Sequence, residues 1–122
     1  SSIKIEGPVE NAKLFSYYHS HDVFINTTSL ESFGNAVVEA ASSGIPIISN
    51  RVGELPFIWT HKKNILFSEP NSNSFCENLN LLFKSKELRN KISINAQKRL
   101  EDFKLETIIK KWESKLLKLY KN

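Results

Sequence analysis

The fold is decided by residues 23–49, which read VFINTTSLESFGNAVVEAASSGIPIIS. Residues 23–25 and 45–49 are short apolar runs rich in β-branched side chains, which is typical of strands buried on both faces of a parallel sheet. Between them, apolar residues at 33–41 recur at near-helical spacing, and Gly44 is well placed to end that helix. The stretch therefore predicts a β–α–β unit.

The flanking segments extend the same succession. Residues 3–6 alternate apolar and polar side chains before Gly7, which predicts a first strand, and residues 11–19 predict a short helix. A last strand is predicted at residues 65–67, and three closing helices at residues 74–83, 86–103 and 105–120. We expect an α/β fold: a partial Rossmann-like, open parallel sheet of about four strands, flanked by helices and ending in a helical C-terminus.

The composition is that of one ordinary domain. The chain has 122 residues, of which 40% are hydrophobic and 25% are charged. Its apolar runs are too short to span a bilayer and no signal-peptide pattern opens it, which favours a cytoplasmic protein. The single cysteine, Cys76, excludes a disulfide framework, and its apolar helical setting predicts a buried thiol. Because methionine is absent, we expect residues 1–122 to form a single, truncated domain.

Basic residues are concentrated in the last third of the chain. Residues 84–122 hold 12 Lys and Arg against 5 Asp and Glu. Solvated lysines on the outer face of a helix are the ordinary explanation, and attraction to anionic lipid or nucleic acid is the alternative. The aromatic residues Trp112 and Tyr120 lie on the apolar stripe of residues 105–120 rather than among exposed basic side chains, so we expect no nucleic-acid partner. The stripe itself predicts packing against a core.

The loop after residues 23–25 is the place to look for a ligand. In open parallel sheets, ligands bind beyond the carboxyl ends of the strands. Residues 26–35 run straight into a helix, whose first N–H groups and positive partial charge suit a phosphate. Gly34 has no Cβ and lets a ligand approach the main chain. Many proteins have such a glycine, so this pattern alone is a weak signal.

Two carboxylates frame this helix start. Glu31 precedes the helix and Glu39 lies inside it, and eight residues of helical rise separate them by about 12 Å. That spacing is too long for an acid–base pair or a shared metal ion, but it matches the span of a nucleoside diphosphate sugar. The alternative is that Glu31 favours the helix dipole and Glu39 is an ordinary surface residue.

The longer pattern resembles a known family. Residues 31–40 (ESFGNAVVEA), 43–50 (SGIPIISN) and 51–56 (RVGELP) resemble the signature of retaining family 4 glycosyltransferases, of the group 1 glycosyltransferase type, which have the GT-B fold. The hallmark of this family is Glu, seven residues, Glu. The order of the flanking elements also matches, so the resemblance covers nearly the whole chain. It implies that the chain is the C-terminal half of a GT-B domain.

The resemblance also implies roles for individual residues. Glu31 would be the catalytic residue, contacting hydroxyls of the transferred sugar near the reacting centre, and Glu39 would hold the ribose hydroxyls of the donor. The main chain around Gly34 would meet the phosphates or the sugar. The implied donor-binding residues are Ser32, Phe33, Gly34, Asn35, Ala36 and Glu39. The implied reaction is retaining transfer of a hexosyl group from a nucleoside diphosphate sugar to a glycan or lipid-linked acceptor, without cofactor or metal.

Some positions depart from the family pattern. Thr27 and Thr28 stand where the family has Pro-Ser, and Glu54, Phe57 and Ile65 replace residues typical of the family. We expect different loop shapes there and the same fold. The three histidines have no metal-ligand spacing and are predicted to be structural or exposed.

Other parts of the implied enzyme fall outside these residues. The family's diphosphate-binding Arg and Lys lie upstream, and its acceptor site lies in a separate N-terminal domain, so we expect this chain alone to be inactive. For the complete protein we expect peripheral contact with the inner face of an anionic membrane through the basic tail near Lys110, Lys111, Lys115 and Lys118.

Three alternatives stay open. The chain could be a non-catalytic, Rossmann-like nucleotide-binding module, which an upstream sequence without that Arg and Lys would favour. The other two alternatives are GT-B enzymes of a different kind, a sugar-nucleotide epimerase and a starch-type synthase. The Phe33-Gly34 form of the motif fits family 4 better than either.

Overall fold

A computed structural model describes residues 2–121. Its helices and strands alternate up to the third strand, after which only helices follow. In chain order the elements are α1 (Asn11–His19), β1 (Phe24–Asn26), α2 (Asn35–Ser42), β2 (Ile47–Asn50), α3 (Leu55–Ile58), β3 (Leu66–Ser68), α4 (Ser72–Lys84), α5 (Lys86–Leu100), a 3₁₀ turn (Glu101–Phe103) and α6 (Leu105–Tyr120).

The sheet is parallel and open, with helices on both faces. Its order is β1-β2-β3, and β2 pairs with both neighbours: Phe24 lies opposite Ile47, and Ile48 lies opposite Leu66. Every residue of β2 and β3 is buried. Helices cover both faces of these strands, which explains why their apolar residues are buried, and the predicted α/β fold class is confirmed.

The core consists of two clusters separated by the sheet. Neighbouring residues of β2 point to opposite faces, so Ile47 joins one cluster and Ile48 joins the other. The first cluster receives Val37 from α2 and Leu55 from α3, whereas the second receives Leu82 from α4. Helices α2 and α4 are thereby held against opposite faces. The loop before α2 directly follows β1 and so lies at the carboxyl edge of the sheet.

The prediction of a strand at residues 3–6 is wrong. Residues 3–6 belong to an irregular segment, and Ile3 and Ile5 are 86% and 93% exposed. Alternation favours a strand only when one face is covered and the backbone joins a ladder, and neither isoleucine is buried here. The sheet of residues 2–121 accordingly has three strands.

Helix boundaries follow local chemistry that the pattern missed. Helix α2 begins at Asn35 rather than at residue 33, because Gly34 has a left-handed conformation with φ +84° that cannot continue a helix. Helix α3 was not predicted, since Gly53 and Pro56 favour a loop, yet Pro is well tolerated in the first turn of a helix. The predicted helix at 86–103 ends at Leu100, where the 3₁₀ turn follows.

Two predictions of burial are wrong. Cys76 is exposed because α4 turns Asn78 and Leu82 inward, leaving the cysteine on the outer side. The stripe on α6 is also exposed: Trp112 is 61% and Leu116 is 57% accessible to solvent. Periodicity identifies a face that can be buried, but within residues 2–121 no element covers this one. No helix in the same range has the length and apolar character needed to cross a membrane.

Two glycines let the loops after β1 and β2 pack together. Gly53 has φ +56°, and a Cβ there would lie 1.9 Å from the carbonyl oxygen of Glu31. Gly34 is buried, and a Cβ there would lie 2.6 Å from a methyl group of Leu55. A side chain at Gly53 would push the two loops apart, whereas one at Gly34 would require the Leu55 side chain to move.

We expect Gly53→Ala to lower the free energy of unfolding by about 1–3 kcal/mol, because the new methyl group overlaps a backbone oxygen and the positive φ is strained. Urea titration measures this change. Gly7→Ala is the matched control, since a Cβ at Gly7 meets nothing within 4 Å and should change stability by less than about 0.5 kcal/mol. Equal stability of the two variants would contradict the close approach.

Candidate functional site

The carboxyl ends of β1 and β2 open at the same edge of the sheet because the strands are parallel. Residues 27–34 follow β1, and residues 51–54 lead from β2 into α3. The structure therefore places residues 31–36 at the edge where open parallel sheets bind ligands. Glu39 lies farther along α2, on its fifth residue.

Hydrogen bonds to buried side chains fix the beginning of the first loop. The amide of Asn26 donates to the hydroxyl of Ser49 at 3.1 Å, and the hydroxyl of Thr28 donates to Oδ1 of Asn26 at 2.6 Å. The amide of Asn50 donates to the Thr28 carbonyl at 3.3 Å. Since Asn26, Ser49 and Asn50 are buried, this network holds the loop against the ends of both strands.

Sequence reasoning missed Asn26 and Asn50. The available signal was a polar residue at the end of each apolar strand, but the sequence does not show which groups such residues bind. Oδ1 of Asn50 is buried and accepts no hydrogen bond from residues 2–121. Asn50 also lines a mainly apolar cleft of about 400 Å³ on the α4 side of the sheet, together with Ile25, Thr27 and Phe75. Neither predicted carboxylate lines this cleft.

Glu31 is held by the loop on which it lies. Its side chain is half-buried, and Oε1 accepts a hydrogen bond from the N–H of Ser32 at 3.2 Å. The Ser32 carbonyl accepts from the N–H of Glu54 at 3.0 Å, next to the close approach of Gly53. The position of this carboxylate is thus set by the loop after β2 as well as by its own.

The start of α2 has no side-chain cap. Gly34 is the capping residue and offers no side chain, while Asn35 and Ala36 are exposed. The first N–H groups of the helix are therefore accessible to an anion, which the positive end of the helix dipole favours.

A residue from the C-terminal part of the chain packs against this loop. The half-exposed ring of Phe33 makes an edge contact with Phe103 of the 3₁₀ turn, at 5.8 Å between centroids. Arg99 stacks over Phe103 and donates to the carbonyl of Ile58 at 2.8 Å. The sequence carried no signal for this contact, because Phe33 and Phe103 are 70 residues apart.

Glu39 faces α1 rather than the Glu31 loop. Its Oε2 accepts a hydrogen bond from the Tyr18 hydroxyl at 3.2 Å, beside a cleft of about 310 Å³ that Asn11 and Phe15 also line. Burial, followed by the negative charge of Glu39, raises the pKa of Tyr18, so the phenol remains a donor at neutral pH. The two carboxylates thus have different surroundings and can serve two different contacts.

The histidines hydrogen-bond to the backbone. Nδ1 of His61 accepts from the N–H of Phe67 at 2.9 Å, and burial lowers the pKa of His61. His19 and His21 bond to backbone carbonyls at 3.1 and 2.7 Å. Among residues 2–121, no cluster of three or more His, Cys, Asp or Glu is arranged to hold a metal ion.

Comparison with known proteins gives consistent matches. The model of the family "Glycosyl transferases group 1" matches residues 2–99. A human phosphatidylinositol N-acetylglucosaminyltransferase protein is 34% identical over 77 residues, which are 63% of this chain and 16% of that protein. The C-terminal domain of a group 1 glycosyl transferase (LpcC) from Francisella tularensis is 25% identical, with a TM-score of 0.74 over 83% of this chain and 53% of that one.

A third match is a structure with ligands. HepE from Anabaena, solved in complex with UDP and glucose, has a TM-score of 0.76 and 22% identity, over 88% of this chain and 30% of that one. This likeness shows the fold alone. The chain spans about a sixth of the human relative's length. With the family model covering four-fifths of its length and the site loop included, the chain belongs to the group 1 glycosyltransferase family.

Proposed function

We propose that this chain binds the nucleoside diphosphate sugar donor of a glycosyltransferase. The observation that carries the proposal is the uncapped start of α2 at the carboxyl edge of the sheet, with Glu31 on one side and Glu39 on the other. Family membership supports it, and so does the UDP and glucose bound to the HepE structure of the same fold.

Each part of the donor would meet a different group. The diphosphate would lie at the start of α2, where the N–H groups around Gly34 and the helix dipole stabilise the charge that grows on the leaving diphosphate. The half-buried Glu31 would accept hydrogen bonds from the transferred sugar and act as the catalytic residue. Glu39 would accept hydrogen bonds from the ribose hydroxyls. Ser32, Phe33, Asn35 and Ala36 would complete the donor site.

We propose that the complete protein transfers a hexosyl group, with retention at the anomeric carbon, to a glycan or lipid-linked acceptor in the cytoplasm. The human relative is named for transfer to a lipid, phosphatidylinositol. The acceptor would bind to a separate N-terminal domain, and additional cations for the diphosphate would come from upstream of this segment. No metal would be required, and the 122 residues alone would be inactive.

A second candidate is a binding module without chemistry, in which the same helix start holds a nucleotide. Nucleotide binding by the complete protein in the absence of any sugar transfer would support it over the enzyme.

We expect substitution of the two carboxylates to have different effects on nucleotide affinity and on sugar transfer. In the complete protein, Glu39→Gln should weaken binding of UDP, GDP or ADP, whichever binds best, by about tenfold or more, because a charge-assisted hydrogen bond is lost. Glu31→Gln should leave that affinity within about twofold and lower sugar transfer about 100-fold, because its contact strengthens only as the sugar reacts. Isothermal titration and donor-turnover assays measure both.

Glu77→Gln is the matched control, since Glu77 is an exposed carboxylate on α4, away from the site. It should alter neither quantity. Unchanged affinity and activity in both Glu31→Gln and Glu39→Gln would refute the donor site.

We further propose that α6 contacts an anionic membrane. All its described side chains are exposed or half-exposed, with Trp112 and Leu116 on an apolar stripe and a row of lysines on the remaining surface. Lys115 lies 5.9 Å from the ring of Trp112, beside the stripe. Exposed apolar and basic faces on one helix are typical of helices that lie in a membrane interface.

The double variant Lys110→Glu/Lys111→Glu should reduce co-sedimentation of the complete protein with phosphatidylserine vesicles about tenfold or more, because two attractive charges become repulsive. Lys62→Glu/Lys63→Glu makes the same charge change on an exposed turn elsewhere and should have little effect. Equal sedimentation of the unaltered protein with phosphatidylserine and phosphatidylcholine vesicles would refute the membrane contact.

A further inference from the structure

The hydrogen bond between Tyr18 and Glu39 joins α1 to α2 beside the proposed ribose contact. The phenol donates to Oε2 of Glu39 at 3.2 Å, although the two residues are 21 positions apart. Tyr18 is half-buried, and its ring makes an edge contact with Phe24 of β1. The ring centroids are 5.6 Å apart and the ring planes are inclined at 78°. This contact with a strand residue restricts the ring, and with it the hydroxyl.

Glu39 has little else to orient its carboxylate. The side chain is exposed, and within residues 2–121 no lysine, arginine or histidine forms an ion pair with it. An exposed glutamate on a helix samples several rotamers, and ordering such a side chain on binding has an entropic cost. A single bond from a fixed phenol removes much of this freedom before a ligand arrives.

The bond also leaves room for a ligand. A carboxylate accepts about four hydrogen bonds through its two oxygens, and the phenol occupies one position on Oε2. Oε1 and the remaining position on Oε2 are available to neighbouring hydroxyls. Tyr18 can thus orient Glu39 without blocking it.

We propose that Tyr18 is a positioning residue that orients the Glu39 carboxylate for the two adjacent hydroxyls of the donor ribose. This inference rests on the proposed function, in which Glu39 binds that ribose. Tyr18 does not itself touch the reacting atoms. Its loss should therefore raise the KM for the donor and leave kcat at saturating donor nearly unchanged.

The test compares a nucleotide that has the ribose hydroxyls with one that lacks them. The complete protein is titrated with whichever of UDP, GDP and ADP binds best, and with the 2′,3′-dideoxy form of the same nucleotide. The variants are Tyr18→Phe, Glu39→Gln and the double variant. Tyr17→Phe is the matched control, because it removes a hydroxyl from the adjacent residue of α1. Tyr18→Phe keeps the ring that packs on Phe24.

We expect Tyr18→Phe to weaken binding of the normal nucleotide about three- to tenfold and to leave binding of the dideoxy form unchanged. Glu39→Gln should abolish the preference for the normal nucleotide, and adding Tyr18→Phe to it should change nothing further, because the two residues act through one contact. Tyr17→Phe should behave like the unaltered protein.

Equal weakening of both nucleotides by Tyr18→Phe would overturn the inference, since it would indicate a purely structural role. Additive effects in the double variant would overturn it as well. A preference that survives Glu39→Gln would instead refute the ribose contact of Glu39, and with it the proposed function on which this inference depends.

Discussion

The structure around the site depends on the close approach of two loops that follow neighbouring parallel strands. Gly53 lies so near the Glu31 carbonyl that a Cβ would overlap it, and the adjacent Glu54 N–H donates to the Ser32 carbonyl at 3.0 Å. Leu55 fills the space below Gly34. Separating the loops would break this hydrogen bond and the buried contact between Gly34 and Leu55, so the start of α2 is held at the sheet edge.

This arrangement lets one short helix present two different groups. The start of α2 is uncapped and open, while Glu39 on the same helix turns toward α1 and Tyr18. In the proposed donor site, the N–H groups would suit the anionic diphosphate and the carboxylates would suit the hydroxyl-rich ends of the donor. The contact of Phe33 with Phe103 adds support from the far end of the chain.

Local patterns predicted the elements that local forces set. Helix α1 has the predicted bounds, and β2 and β3 lie within one or two residues of the predicted strands, because short apolar runs and helical spacing need no distant partner to be recognised. Residues 3–6 alternate equally well but form no strand, since alternation alone does not bring a segment into a β-ladder. Helix α3 was missed because a proline that begins a helix and a proline that ends one look alike without the tertiary contacts of Leu55.

The sequence by itself determined the β–α–β unit and the family, because both depend on residue types at fixed spacing within residues 23–56. Only the tertiary structure decided which groups meet: Asn26 with Ser49, and Tyr18 with Glu39. It also decided that Cys76 and the α6 stripe are exposed. The physical reason is that burial and hydrogen-bond partners are set by residues distant along the chain, which no local pattern encodes.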